Sequence, residues 1–113
     1  MEDCLFCNMA SGKIPPKEIL YEDDKVFAID DIGPQASVHV LLIPKNHYDN
    51  ILEDLDASTL EALHRGIKKV VKIKGLNDGG FRVITNTGKD AGQTVNHLHF
   101  HIVGGEPLSE KMC

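Results

Sequence analysis

Three histidines alternate in a run of five residues, His97-Leu98-His99-Phe100-His101. On an extended strand residues i, i+2 and i+4 point to one face, so the three imidazoles line one side while Leu98, Phe100 and Ile102 line the other. The apolar side suits a core, and the imidazole side has three readings. One is the solvated face of an amphipathic strand. Another is a metal site, although all three rings cannot share one ion. His97 and His101 stand about 13 Å apart on an extended strand, whereas each ligand of a Zn²⁺ lies only about 2 Å from it. The third is nucleophilic catalysis, in which the central imidazole attacks with one nitrogen while the other donates a hydrogen bond that fixes its tautomer. An outer histidine then reaches the leaving group or a phosphoryl oxygen.

Directly upstream, Asn86-Thr87-Gly88-Lys89-Asp90-Ala91-Gly92-Gln93-Thr94 is polar and glycine-bearing. Glycines let backbone N–H groups approach an anion closely, and Thr94 adds a hydroxyl donor. By itself such a stretch is a turn; leading into three aligned histidines, it reads as a phosphate cradle. Cys4 and Cys7 have the separation of a zinc half-site. A redox pair would need a thioredoxin-like βαβ pattern, which this sequence lacks, and the remaining alternative is two cysteines packed as small apolar residues.

The elements that must position these groups can be read from periodicity. Leu5 to Ser11 reads as a short helix stopped by Gly12, and Ile14-Pro15-Pro16 forces an extended exit. Glu18–Tyr21 and Lys25–Asp30 read as short strands, and Asp31-Ile32-Gly33-Pro34 breaks the second. His39–Ile43 is a β-rich run stopped by Pro44. Ser58-Thr59-Leu60-Glu61 has the form of a capping box with Ser58 as the cap. Behind it Leu60, Leu63, Ile67, Val70 and Val71 recur at helical spacing up to Gly75. Phe81–Thr85 and Val95–Val103 read as the last strands. Strands and one long helix without βαβ alternation predict an α+β domain on an antiparallel sheet.

The bulk properties narrow the function. A chain of 113 residues, 42% hydrophobic and 26% charged, fits a single globular domain over 1–113. A net charge of −5 argues against a nucleic-acid partner, which needs a basic face. A single nucleotide stays open, because backbone N–H groups and a few polar side chains can hold one phosphate. No apolar run approaches the roughly 18 residues that span a bilayer, and the acidic start lacks the apolar stretch of a secretory leader. No membrane partner and a reducing, cytoplasmic setting are expected. Three cysteines make no disulfide framework, and Cys113 is read as a free thiol.

The segment Gly92-Gln93-Thr94-Val95-Asn96-His97-Leu98-His99-Phe100-His101-Ile102-Val103 resembles the signature of the histidine triad (HIT) superfamily. Asp31-Ile32-Gly33-Pro34-Gln35-Ala36, His39, Ile43-Pro44-Lys45-Asn46-His47 and Leu5-Phe6-Cys7 extend the resemblance over nearly the whole chain. The branch it most resembles is that of purine nucleoside phosphoramidases, which hydrolyse adenosine 5′-monophosphoramidates. The resemblance implies a five-stranded antiparallel sheet with one long and one short helix, in a homodimer that joins two sheets. It implies that His99 is the nucleophile, oriented through the backbone carbonyl of His97, and that His101 contacts the phosphate or leaving group. Asn86, Gly92 and Thr94 fall among the phosphate-side contacts, Val95 among the nucleotide contacts, and His39 is a fourth active-site histidine. Asp31 takes the ribose hydroxyls, and Ile29 and Ile32 wall the base. Purine nucleotides such as AMP or GMP are the implied ligands. Alternative activities are diadenosine polyphosphate hydrolysis, or a non-catalytic nucleotide-binding scaffold. The chain departs from animal members in lacking a tryptophan near the C-terminus, which bears on leaving-group specificity. It also carries the Cys4–Cys7 pair, which some bacterial members complete with two histidines into a structural zinc site; the matching positions are His47 and His97.

Overall fold

The period-two runs build a sheet, and the period-3.6 run becomes the helix that covers it. The computed structural model describes residues 4–111, so the Cys113 thiol lies outside it. In chain order its elements are α1 (Leu5–Ala10), β1 (Tyr21–Glu22), β2 (Val26–Asp30), β3 (Val38–Pro44), α2 (Ala57–Lys74), β4 (Phe81–Ile84), a 3₁₀ turn (Lys89–Ala91) and β5 (Phe100–Gly104). Every pairing is antiparallel and the order is β1-β2-β3-β5-β4. The last strand therefore inserts between β3 and β4. This is the expected α+β architecture, five strands with one long and one short helix. Among the described residues no helix is long and apolar enough to cross a membrane.

Strand alternation separates two apolar layers. Val26, Ala28, Val40, Leu42, Leu98 and Ile102 face α2 and meet Ala62, Leu63, Val70 and Val71. Phe27, Ile29, Leu41 and Ile43 face the other way and pack with Phe6 of α1. The helix lies close to the sheet because Gly66 has no side chain: a Cβ there would stand 2.8 Å from Cδ1 of Leu42. Its stop is the expected one, with Gly75 left-handed at φ 67° and its N–H donating to the carbonyls of Lys72 and Val71.

β1 is Tyr21–Glu22 rather than Glu18–Tyr21, and β3 takes in Pro44 instead of stopping before it; two further boundaries differ from the sequence reading. The cap of α2 is Asp56 rather than Ser58, in extended conformation, and its carbonyl accepts from the N–H groups of Thr59 and Leu60. The Ser58 hydroxyl instead donates to the Asp56 carboxylate at 2.8 Å. Hydrogen bonds from the side chains of Thr59 and Ser58, in that order, hold the Asp56 carboxyl down at about 2. The second difference is that β5 pairs only from Phe100, opposite Leu42. Continuing the register would set Leu98 against Pro44, which has no N–H to donate. The Leu98 N–H donates to the Tyr48 carbonyl at 2.6 Å instead. His97 and His99 thus lie on irregular backbone just before the strand, yet the alternation of faces persists: Leu98 belongs to the α2 layer and both histidines to the Phe6 side.

Candidate functional site

All three triad imidazoles are brought to one face, as the spacing requires. Phe6 meets the rings of His97 and His99 edge-on at 5.8 and 5.1 Å, and His99 and His101 lie 5.1 Å apart. The Nδ1–H of His99 donates to the His97 carbonyl at 2.8 Å. That bond puts the proton on Nδ1 and leaves a lone pair on Nε2. No buried side-chain nitrogen or oxygen among the described residues lacks a partner, so the unpartnered Nε2 of His99 reaches the surface. The Thr85 hydroxyl donates to the His99 carbonyl at 3.0 Å and pins the same residue from β4's side.

A second chain of bonds fixes His101. The Gln35 N–H donates to Nδ1 of His39 at 3.0 Å, which leaves the His39 proton on Nε2. That Nε2–H donates to Nδ1 of His101 at 2.8 Å, with Oδ2 of Asp31 at 3.3 Å from the same nitrogen. His101 therefore carries its own proton on Nε2. Burial foremost, then the neighbouring His99 and His39, push His101 below the usual imidazole value against the pull of Asp31. The arrangement sets an unprotonated nitrogen on His99 beside a ring whose N–H can be donated, a pairing suited to nucleophilic displacement of a group that leaves with a proton. Asp31, His39 and His101 also bring three ligand atoms within 4.8 Å. The hydrogen bond between the two rings accounts for that closeness, and a metal on Nε2 of His39 would have to displace the proton that the Gln35 N–H keeps there.

His101 borders a cavity of about 290 Å³ shared with Gln35, Ala36, His39, Arg82, Ile84, Asn86, Val103, Leu108 and Ser109. Of the other expected contacts, Ile29 is buried and Val95 half-buried, both packed around Phe6. Ile32 stands fully in solvent on the segment after β2. Asp31 keeps 21% of its side chain exposed; its Oδ1 accepts the Gly33 N–H at 2.9 Å. The glycine-bearing loop is closed by Gln93, whose Oε1 accepts the Gly88 N–H and whose Nε2 donates to the carbonyls of Asp49 and Val95. Gly88 and Gly92 take positive φ, 82° and 76°, around the 3₁₀ turn. Among the described residues the side chains of Asn86 and Thr94 have no protein partner. The reading from sequence missed Thr85, Gln35 and Gln93, since only their positions across the fold reveal what they hold.

Cys4, Cys7, His47 and His97 form a separate cluster with all four donor atoms within 4.8 Å. Cys4 caps α1, its sulfur accepting the Cys7 N–H, and the helical turn sets both thiols side by side. Nδ1 of His97 lies 3.2 and 3.4 Å from the two sulfurs, and Nδ1 of His47 lies 3.2 Å from that of Cys7. A tetrahedral Zn²⁺ would separate sulfur and nitrogen ligands by about 3.5 Å. The tautomers also suit a metal. Nε2 of His97 donates to the Pro44 carbonyl at 2.7 Å and Nε2 of His47 to Asp49 at 2.8 Å, leaving both Nδ1 lone pairs aimed at the cluster. Burial, with the adjacent Cys4, pushes the Cys7 thiol up to about 11. Burial chiefly, with His47 and His99 adding to it, lowers His97. The donor set fits structural zinc, with no open position left for water.

Residues 13–108 match the family model described as HIT domain. A purine nucleoside phosphoramidase of Escherichia coli K12 is 40% identical over 115 aligned residues, covering 99% of this chain and 95% of that one. An uncharacterized HIT-like protein of Methanocaldococcus jannaschii is 42% identical over 101 residues, 88% of this chain and 77% of its own. A solved HIT family hydrolase from Clostridium thermocellum superposes with a TM-score of 0.92 at 43% identity, covering 100% and 99% of the two chains. A histidine triad protein from Clostridium difficile superposes at 0.90, again 43% identical, over 99% and 98%. With a match from residue 13 to 108 and these likenesses in sequence and structure, the chain belongs to the HIT domain family.

Proposed function

We propose that this HIT protein, acting as one domain over 1–113, hydrolyses purine nucleoside 5′-phosphoramidates through a nucleotidyl-histidine intermediate. The observation that carries the reading is the bond from His99 Nδ1–H to the His97 carbonyl, which frees Nε2 for attack. The likeness to the E. coli phosphoramidase supports the substrate class. In the first step Nε2 of His99 bonds to phosphorus, the P–N bond breaks, and the departing amine takes the proton from Nε2 of His101. In the second, water attacks the nucleotidyl-histidine, His101 takes back a proton, and His99 leaves with its lone pair restored. Asn86, Gly92 and Thr94 serve the phosphate side, Val95 is a further nucleotide contact, Asp31 receives the ribose hydroxyls, and Ile29 and Ile32 flank the base. Cys4, Cys7, His47 and His97 would hold one Zn²⁺, which supplies a structural tie between α1 and the histidine segment. A two-fold dimer through the exposed β4 edge, where Phe81 and Val83 are each about 40% exposed, is part of the same reading. Thiols kept for metal suit the cytoplasm.

The test compares hydrolysis of adenosine 5′-phosphoramidate with that of a diadenosine polyphosphate, followed by acid quench and mass spectrometry. The reading expects faster phosphoramidate turnover and an AMP adduct on the peptide bearing His99. No turnover of either compound, with AMP still bound, would favour a scaffold.

His101→Ala is expected to slow an alkylamine leaving group by about 10²–10⁴-fold, the usual worth of a general acid. A substrate whose leaving group departs without a proton should lose far less. Equal losses on both substrates would remove His101 from the acid role.

Asp31→Ala is expected to weaken AMP binding by roughly 1–3 kcal/mol, the scale for hydrogen bonds to a charged acceptor. A ligand lacking both ribose hydroxyls should lose a similar amount on the unaltered protein and nothing further on the variant. Calorimetric titration of the four pairs reads this directly; additive losses would place Asp31 elsewhere.

A further inference from the structure

The bonds that orient His101 start in a loop, and that loop is held at its far end by a residue outside the site. Residues 33–37 run irregularly between β2 and β3. Their near end is tied by Asp31, through the Gly33 N–H. Their far end is tied by Glu106, whose Oε1 accepts both the N–H and the hydroxyl of Ser37. The reach of Glu106 is built into the backbone. β5 ends at Gly104, and Gly105 turns left-handed at φ 80°. A Cβ at Gly105 would stand 2.9 Å from Cγ2 of Val38, so the turn folds the chain back against the start of β3. Glu106 thereby joins the end of the strand that carries His101 to the start of the strand that carries His39.

We propose that Glu106 is a positioning residue for the His39–His101 pair, acting through Ser37 and the Gln35 N–H; this rests on the hydrolase reading only for its kinetic consequence. The Gln35 N–H selects the His39 tautomer, and His39 in turn selects that of His101. A loop released at Ser37 lets the Gln35 N–H drift, and His39, left with only the Asp31 carboxylate at 3.3 Å to hold its proton on Nε2, exchanges that proton between its two nitrogens. Only the form with the proton on Nε2 can protonate a leaving amine, so the fraction of competent enzyme falls while nucleotide contacts persist.

The experiment uses the full ¹⁵N-labelled chain. Long-range proton–nitrogen spectra report which ring nitrogen of His39 and His101 bears the proton. The unaltered protein is expected to have a single tautomer at each, protonated on Nε2. Glu106→Ala is expected to give a mixture at both, and to lower kcat for an alkylamine phosphoramidate by about tenfold with KM within about twofold. Glu106→Gln keeps an oxygen acceptor for Ser37 and is expected to restore both readouts. A substrate with a leaving group that needs no proton should be indifferent to all variants, which a general loosening of the fold would not reproduce. Glu106→Asp keeps the charge with a shorter reach; it is expected to follow the alanine variant in direction, and decides the matter alone if the alanine chain fails to fold. Single unchanged tautomers in both the alanine and aspartate variants would overturn the proposal. If the unaltered protein hydrolyses no phosphoramidate, the hydrolase reading falls, while the spectra still decide the role of Glu106.

Discussion

His99→Ala is expected to reduce phosphoramidate hydrolysis by about 10⁴-fold or more, on the scale of losing a catalytic nucleophile, while AMP binds within a few-fold of the unaltered protein. The argument is geometric. The His99 ring spends its Nδ1–H on the His97 carbonyl and offers only Nε2 to a ligand. His101 cannot replace it, since its Nδ1 is occupied by His39 and its Nε2 carries the proton needed by the leaving group. The proposed ribose and phosphate contacts, Asp31 after β2 and Asn86, Gly92 and Thr94 ahead of the triad, do not include the His99 ring. Rapid-quench kinetics and calorimetry on one preparation separate the two effects. A variant that kept more than about a tenth of the rate would remove His99 from the nucleophile role. So would an AMP adduct found on another residue.

Removing metal is expected to lower the melting temperature by roughly 10–20 °C. A ligand about 100-fold above its Kd adds about 2.7 kcal/mol to a folded state that alone binds it, and each kcal/mol moves a chain of this size by several degrees. Cys7→Ala should melt at the chelated value and be indifferent to chelator. Because the Cys7 thiol is protonated without metal, loading releases protons and the site weakens as the pH falls. Activity should fall only in part, for His97 has two separable tasks. Its ring belongs to the cluster, while its backbone carbonyl holds His99. The contact of Phe6 with both rings supplies the remaining coupling. Elemental analysis of protein purified without added metal gives the stoichiometry. Substoichiometric zinc together with chelator-indifferent melting would make Cys4 and Cys7 ordinary parts of the Phe6 layer.

The face shared by His97, His99 and His101 was legible from spacing alone, because the two-residue period of extended backbone survives even where the strand pairing has stopped. The long helix was legible for a similar reason: a 3.6-residue apolar period and a glycine stop are local properties of the chain. Its first residue was not, since Asp56 and Ser58 are both good caps and Tyr48 and Thr59 gather around Asp56. The start of β5 depended on which residue faces Leu98, and only the register with β3 puts Pro44 there. The thiol pair was visible as spacing, whereas the direction of the two Nδ1 lone pairs depends on Pro44 and Asp49.

Sequence by itself therefore determined the groups available for chemistry, an imidazole flanked by two others on one face and a Cys-x-x-Cys pair, because residue type and short periodicity are local. Tertiary structure decided which nitrogen of each ring is free. That choice is made by hydrogen bonds to the Gln35 N–H, the His97 and Pro44 carbonyls and the Asp49 carboxylate. The physical reason is that a tautomer is set by whichever donor or acceptor meets the ring in space, and no period in the sequence encodes that meeting.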